Sequence, residues 1–239
     1  GIVDGATEDG FEVKLLPLHS RKEISADFLQ RSLRFPYSDG IIFIGYHFMR
    51  DFYSLISGNS SVPHLIVSGS AVQDAPMPAF APDPEPGIRA AAAELIRRGH
   101  RCFLYQAFDL NRIPAYQYER YAVWERVLKE LAPQSILRTI DIPDAKELRR
   151  AARSFAESPQ DFTAILTAND GAADIWRREL DYYGAKVPGD FAVVGFDGNE
   201  SFSGLSSVVV PYYGIGRAAA HAVITAVKNG KTVDGERFA

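Results

Sequence analysis

The sequence predicts an α/β protein organised around parallel sheet, and three observations carry that expectation. Short apolar runs alternate with longer amphipathic stretches along the chain, which is the signature of strand–helix units. Several runs are apolar on consecutive residues, as in Ile41-Ile42-Phe43-Ile44 and Ala192-Val193-Val194, and this suits strands covered on both faces. Residues that tolerate a left-handed backbone follow the amphipathic stretches, at Gly99-His100, Gly184-Ala185 and Asn229-Gly230.

In order, the chain opens on Gly1 to Glu8, which lacks the charged and apolar regions of a signal peptide and resembles the middle of a helix. Strands are expected at 11–16, 40–44, 64–67, 101–106, 135–139, 162–167 and 191–196. Helices are expected at 21–33, 87–98, 116–131, 144–156, 171–183 and 216–228. In Tyr121, Trp124, Val127, Leu128 and Leu131 a spacing of three and four draws one apolar stripe along one face. Trp124 and Trp176 both fall at core spacing and read as packing residues. Pro133 and Pro188 stand just past their helices. The long irregular stretch 68–86 holds five prolines, and a loop of that length serves either function or domain connection. Residues 235–239 stop without a terminating signal, so both ends read as cuts from a longer chain.

Composition narrows the function classes. A length of 239 residues suffices for one large or two modest domains with a substantial core. The net charge of -4 and the lack of a basic stripe argue against this stretch itself gripping a phosphate backbone. No apolar run approaches the ~18 residues that a membrane helix needs. A single cysteine, Cys102, cannot close an internal disulfide and leans toward a reducing compartment. The Gly-Lys-Thr of Asn229-Gly230-Lys231-Thr232 fails as a phosphate loop, because Thr225 stands where its first glycine belongs and a helix precedes it. Gly214-Ile215-Gly216 is half a dinucleotide fingerprint in the wrong place. There is no Gly-x-Ser-x-Gly elbow and no His-Glu-x-x-His pair, and the five histidines have no metal-ligand spacing. Neither cofactor, metal nor catalytic residue is expected.

A resemblance enters with the ordered set of segments. Thr163-Ala164-Ile165-Leu166-Thr167-Ala168-Asn169-Asp170 closes a strand and opens a helix at Gly171-Ala172-Ala173. Val187-Pro188-Gly189-Asp190-Phe191-Ala192-Val193-Val194-Gly195-Phe196-Asp197 follows, then Leu205-Ser206-Ser207-Val208 and Pro211-Tyr212-Tyr213-Gly214-Ile215-Gly216-Arg217. Earlier come Asp39-Gly40-Ile41-Ile42, then Asp83 with Gly87, and Glu94-Leu95-Ile96-Arg97-Arg98-Gly99-His100-Arg101. In this order and spacing the chain resembles, over essentially its whole length, the effector-binding domain of LacI/GalR-family transcriptional regulators. The resemblance implies a periplasmic-binding-protein-like fold of type I: two doubly wound parallel-sheet subdomains with a ligand cleft between them. It places 1–99 with 212–229 in an N-subdomain and 100–211 with 230–239 in a C-subdomain. The family's first strand, helix-turn-helix and hinge helix would precede Gly1. A cytoplasmic homodimeric repressor is implied, sensing a sugar-like metabolite and meeting operator DNA through that preceding domain, with no membrane association. The alternatives are a periplasmic sugar-binding protein of an ABC transporter and an enzyme on a doubly wound sheet.

In open α/β sheets ligands sit beyond the carboxyl ends of strands, and the resemblance picks out six residues there. Asn169 offers donors and an acceptor for a hydroxyl, with capping assigned to its neighbour Asp170; the competing role for Asn169 is the helix cap itself. Asp197 offers a carboxylate for two hydroxyls, or else forms an Asx-type turn at Asp197-Gly198-Asn199. Arg120 matches the family arginine near the start of its helix, against a plain solvated arginine. Asp83 matches the acidic residue before the crossover, or is a turn aspartate. Tyr212 and Tyr46 supply aromatic faces for a ring, or pack in the core. The chain departs from the family at Val208-Val209-Val210, where a polar side chain is usual, and 138–145 has no aromatic residue. Ligand identity is therefore not carried over from any relative.

Overall fold

A computed structural model of the chain describes residues 1–15, 38–45, 62–68, 77–107, 115–158 and 160–239. Its first elements are α1 (Ile2–Glu8), β1 (Ile41–Ile44), β2 (His64–Val67), β3 (Ala79–Pro82), α2 (Glu85–Arg97), β4 (Cys102–Ala107) and α3 (Ala115–Leu131). They are followed by β5 (Ile136–Asp141), α4 (Ala145–Glu157), β6 (Ala164–Thr167), α5 (Asp170–Tyr182), β7 (Ala192–Asp197), β8 (Ser206–Val209), α6 (Tyr212–Asn229) and β9 (Glu236–Phe238). Contacts divide the chain into two units, Gly1–Asp83 with Pro211–Phe238, and Pro84–Val210 with Ala239.

The first unit carries a parallel sheet of order β1-β2-β3-β9, in register from Ile41 opposite His64 to Phe80 opposite Glu236. Helix α6 lies on that sheet. Its buried stripe Ile215, Ala219 and Val223 repeats every four residues, and its end is closed by Gly230 at φ +62°. α1 packs along α6 at backbone distance, because Gly5 and Gly216 carry no Cβ: one would come 2.9 Å from the Arg217 carbonyl, the other 3.2 Å from Ile2. An ion pair of Arg217 with Glu8 at 2.6 Å and a hydrogen bond between His221 and Asp9 at 2.7 Å run beside that contact.

The second unit carries a five-stranded parallel sheet of order β5-β4-β6-β7-β8. Its core joins Leu104, Ile165 and Val193, one from each of three neighbouring strands, to Leu148 and Ala152 of α4 and Trp176 and Leu180 of α5. Asp144 caps α4, accepting from the backbone N–H of Lys146 at 2.8 Å and Glu147 at 2.9 Å. α2 is tied to α3 by charge: Arg89 bridges Glu85 and Glu130 at 2.6 Å each, and Arg126 reaches Glu85 at 2.8 Å.

These ties set a pH dependence. Hydrogen bonds from Arg126 and Arg89 pull the Glu85 carboxyl from its ordinary 4.5 to about 2, and Arg97 and Arg98 do the same for Glu94. A depressed carboxyl contributes stability above its ordinary pKa and loses it as pH falls toward the folded value. The second unit is therefore expected to weaken between about pH 4.5 and 2, with Glu85→Gln flattening part of that slope. Urea denaturation at pH 6 and pH 3 checks this; an unchanged pH slope in the variant would count against it.

Six of the expected strands and all the expected helices among the described residues appear within a few positions. Residues 11–15 are irregular rather than strand, and the helix expected at 21–33 lies outside the described residues. β3, β8 and β9 were not anticipated. The division into units also differs from the expected one. Residues 84–99 belong with the second unit, since α2 packs on α3 and on β8, and the tail joins the first, since β9 pairs with β3. Among the described residues no helix is long and apolar enough to cross a membrane.

Candidate functional site

The carboxyl ends of β6 and β7, in the second unit, hold the densest polar arrangement of the predicted residues. Three of the six meet there. Arg120, on α3, is only 4% exposed. Its Nη1 donates to the Ala168 carbonyl at 2.5 Å and its Nη2 to Asp197 Oδ1 at 2.9 Å. The guanidinium lies 3.8 Å from the centre of the Phe196 ring. Burial of this kind excludes the solvated-arginine alternative, because a guanidinium leaves water only where partners replace it. Asp197 ends β7 and keeps 28% of its side chain exposed, so the pair has one face to solvent.

Asp197 is the one described non-glycine residue with a positive φ, at +106°. L-residues avoid this conformation, and it persists only where surrounding bonds over-determine it.

Asn169 sits at the junction of β6 and α5 with an extended backbone, and its Oδ1 accepts from the Ala172 N–H at 2.9 Å. It is the cap. The expected division of roles between Asn169 and Asp170 is corrected on this point: a cap stands one residue before the helix, and Asp170 is already inside it. The Asn169 amide nitrogen makes no hydrogen bond to the described residues and remains available as a donor at the strand end. Asp170 turns the other way and is 2% exposed. Its carboxylate accepts from Ser207 Oγ at 2.5 Å and from the Asn199 N–H at 2.6 Å.

Of the other three predicted residues, two are described. Asp83 and Tyr212 belong to the first unit. Asp83 follows β3, where its N–H donates to the Phe238 carbonyl at 2.6 Å and its carboxylate lies 4.0 Å from Arg237. Tyr212 opens α6 with 46% of its surface exposed, which excludes core packing for it. Tyr46 lies outside the described residues.

Sequence reading missed Phe196 and Ser207, and gave Asp170 the cap that Asn169 makes. One signal for them existed: Gly195 inside a strand marks close backbone approach, and a Cβ there would collide with the Asp170 carboxylate. Chemically, the cluster presents a planar donor, a part-exposed carboxylate and the nitrogen of an amide whose oxygen caps the helix. Its serine, Ser207, is hydrogen-bonded to the Asp170 carboxylate and to the Gly198 N–H, and none of these residues is a cysteine or histidine. Among the described residues, no group of three His, Cys, Asp or Glu side chains could hold a metal ion. A concavity of about 710 Å³ lies on the flank of this unit, lined by Gly87, Glu94, Arg98, Arg177, Asp181 and Val208 among others; of the site residues named above it reaches Ser207 alone.

Comparison with known proteins places these observations. The family described as periplasmic binding protein-like domain matches residues 92–238. The chain is 22% identical over 241 residues to the ribose operon repressor of Halalkalibacterium halodurans, across 99% of this chain and 70% of that protein. Among solved structures it is similar to a transcription regulator from Lactobacillus plantarum, at 23% identity and a TM-score of 0.78, over 100% of this chain and 89% of the other. It is also similar to a Lac repressor dimer bound to operator and the anti-inducer ONPF, at 19% identity and a TM-score of 0.76, over 99% and 83% of the two chains.

Proposed function

The chain belongs to the periplasmic binding protein-like domain family, with the fold of LacI/GalR-type effector-binding domains, and on that premise we propose that it senses a small polyhydroxylated metabolite for a transcriptional regulator. The observation that carries this reading is the buried Arg120 paired with the part-exposed Asp197 at the strand ends. A carboxylate accepts two hydroxyl donors, and a fixed guanidinium fork beside it orients them. The amide nitrogen of Asn169 adds a neutral donor. Asp83, Tyr212 and Tyr46 stay candidates on the strength of the resemblance alone.

In this proposal the protein is a cytoplasmic homodimer, and effector binding shifts its affinity for operator DNA. The shift requires that the effector bind one conformation better than the other, and a coupling of ~1–3 kcal/mol changes operator affinity by about 5–150-fold. A sugar or sugar derivative is the class to test first, with ribose the first compound, given the operon of the curated relative.

A thermal-shift series over sugars, sugar acids, polyols and nucleobases tests the reading. A ligand at about 100 times its Kd adds ~2.7 kcal/mol, or roughly 5–11 °C for a chain of this size. The shift is expected for one chemical class and is expected to vanish in Asp197→Ala and in Arg120→Ala. A shift that survives both substitutions sinks the site.

A further inference from the structure

We propose that Asp170 and Ser207 are positioning residues, forming a clamp that holds Asp197 in its positive-φ conformation and so keeps its carboxylate on Arg120. The inference rests on the functional reading above for its purpose, but not for its geometry. Asp197 has a φ of +106°, and the two residues after it are fixed by one small network. The Gly198 N–H donates to Ser207 Oγ at 3.1 Å, and the Asn199 N–H donates to Asp170 Oδ2 at 2.6 Å. Ser207 Oγ in turn donates to Asp170 Oδ1 at 2.5 Å. On the β8 side the Asp197 carbonyl accepts from the Val210 N–H at 3.2 Å, with Asp197 in register with Val209.

Every part of the network is placed by the fold. Asp170 sits in the first turn of α5, where Asn169 already supplies the cap, so its carboxylate is released from capping. Gly195 leaves the space that the carboxylate crosses, since any Cβ there would meet it. Ser207 lies in β8, in register with Gly195, and its hydroxyl both donates to Asp170 and accepts from Gly198. The backbone leaving β7 is thereby held from two sides just where Asp197 must adopt a conformation that L-residues avoid. Without the clamp, the turn relaxes toward negative φ and swings the carboxylate away from the guanidinium. The buried Asp170 thus acts on the site through Asp197, at one remove.

The test needs no ligand, so its failure and the failure of the effector reading are distinguishable. In the unmodified protein, hydrogen exchange at the Asn199 amide is expected to be slowed by about 10–150-fold, the range for a hydrogen bond to a charged acceptor, and at the Gly198 amide, whose acceptor is the neutral Ser207 hydroxyl, by about 2–10-fold. Free exchange at the Asn199 amide overturns the clamp. The variants Ser207→Ala, Ser207→Thr and Asp170→Asn are then compared by NMR, reading the Cα and Cβ shifts of Asp197 and the Nε–Hε signal of Arg120. Ser207→Ala and Asp170→Asn are expected to move both sets of signals, whereas Ser207→Thr, which keeps the hydroxyl, leaves them in place. A merely structural role would lower the melting temperature without moving the Arg120 signal. Should Asp170→Asn fail to fold, Ser207→Ala and the exchange measurement still decide the matter. Unmoved Asp197 and Arg120 signals in a folded Ser207→Ala protein would overturn the proposal, even if ligand binding were later demonstrated.

Discussion

Arg120→Met is expected to destabilise the second unit by about 2–3 kcal/mol and to abolish the ligand-induced thermal shift. Breaking a fully buried ion pair by removing one partner costs about 3–5 kcal/mol, because the remaining charge is stranded. Here the Asp197 carboxylate left without Arg120 is 28% exposed, so water recovers part of the loss and the lower range applies. The remainder comes from the Ala168 carbonyl, which loses its donor, and from the Phe196 ring, which loses the guanidinium above it. Methionine fills much of the same volume, so a large cavity is not the cause. At roughly 2–4 °C per kcal/mol the melting temperature falls by about 4–12 °C. Adding Asp197→Asn to Arg120→Met removes the stranded charge, and the double variant is expected to recover part of the loss. Urea denaturation of the wild type, Arg120→Met, Asp197→Asn and the double variant gives the cycle. A loss below about 0.5 kcal/mol, the range of ordinary surface substitutions, would mean that Arg120 is not held as the structure shows it.

How far the site could be read before the structure depended on where the information sits. Arg120, Asn169 and Asp197 could be singled out because Asn169 and Asp197 stand at strand ends and Arg120 in the second turn of its helix, in segments whose order and spacing are distinctive. The choice of cap between Asn169 and Asp170 was not legible: both residue types cap helices well, and the decision was taken by Ser207 and Asn199, which are 37 and 29 residues away from Asp170. β3 was hidden for a local reason. Ala79-Phe80-Ala81-Pro82 lies among prolines, and it becomes a strand only because β2 and β9 flank it. The assignment of 84–99 failed for a non-local one. The amphipathic face of α2 is plain in the sequence, but nothing local says that its partners are α3 and β8. Helices and buried strands carry their own periodicity; edges, caps and unit boundaries are settled by contacts made elsewhere in the chain.

Trp176→Ala is expected to be the costliest single change, at about 3–5 kcal/mol. Trp176 is 0% exposed, and its ring lies parallel to Phe155 with centroids 5.4 Å apart. Truncation leaves a void between α4, α5 and the sheet, and those layers are too extensively packed to close over it. It also removes the indole N–H that donates to Gln106 Oε1 at 3.4 Å. Gln106 is itself 0% exposed, and its Nε2 has no partner among the described residues, so after truncation neither end of the buried amide is bonded to them. The two contributions separate by substitution. Trp176→Phe keeps an aromatic ring against Phe155 but still leaves the amide unbonded, for a share of about 1–3 kcal/mol. Combining Trp176→Phe with Gln106→Leu removes donor and acceptor together, and a pair replaced by apolar groups of similar shape is nearly neutral. The expected order of stability in urea is therefore wild type, then the Phe/Leu double variant, then Trp176→Phe, then Trp176→Ala. A double variant no more stable than Trp176→Phe would assign the loss to ring shape alone. An intermediate double variant identifies the buried amide as the reason that this helix, which also carries Asp170 to the site, requires tryptophan rather than any large apolar side chain.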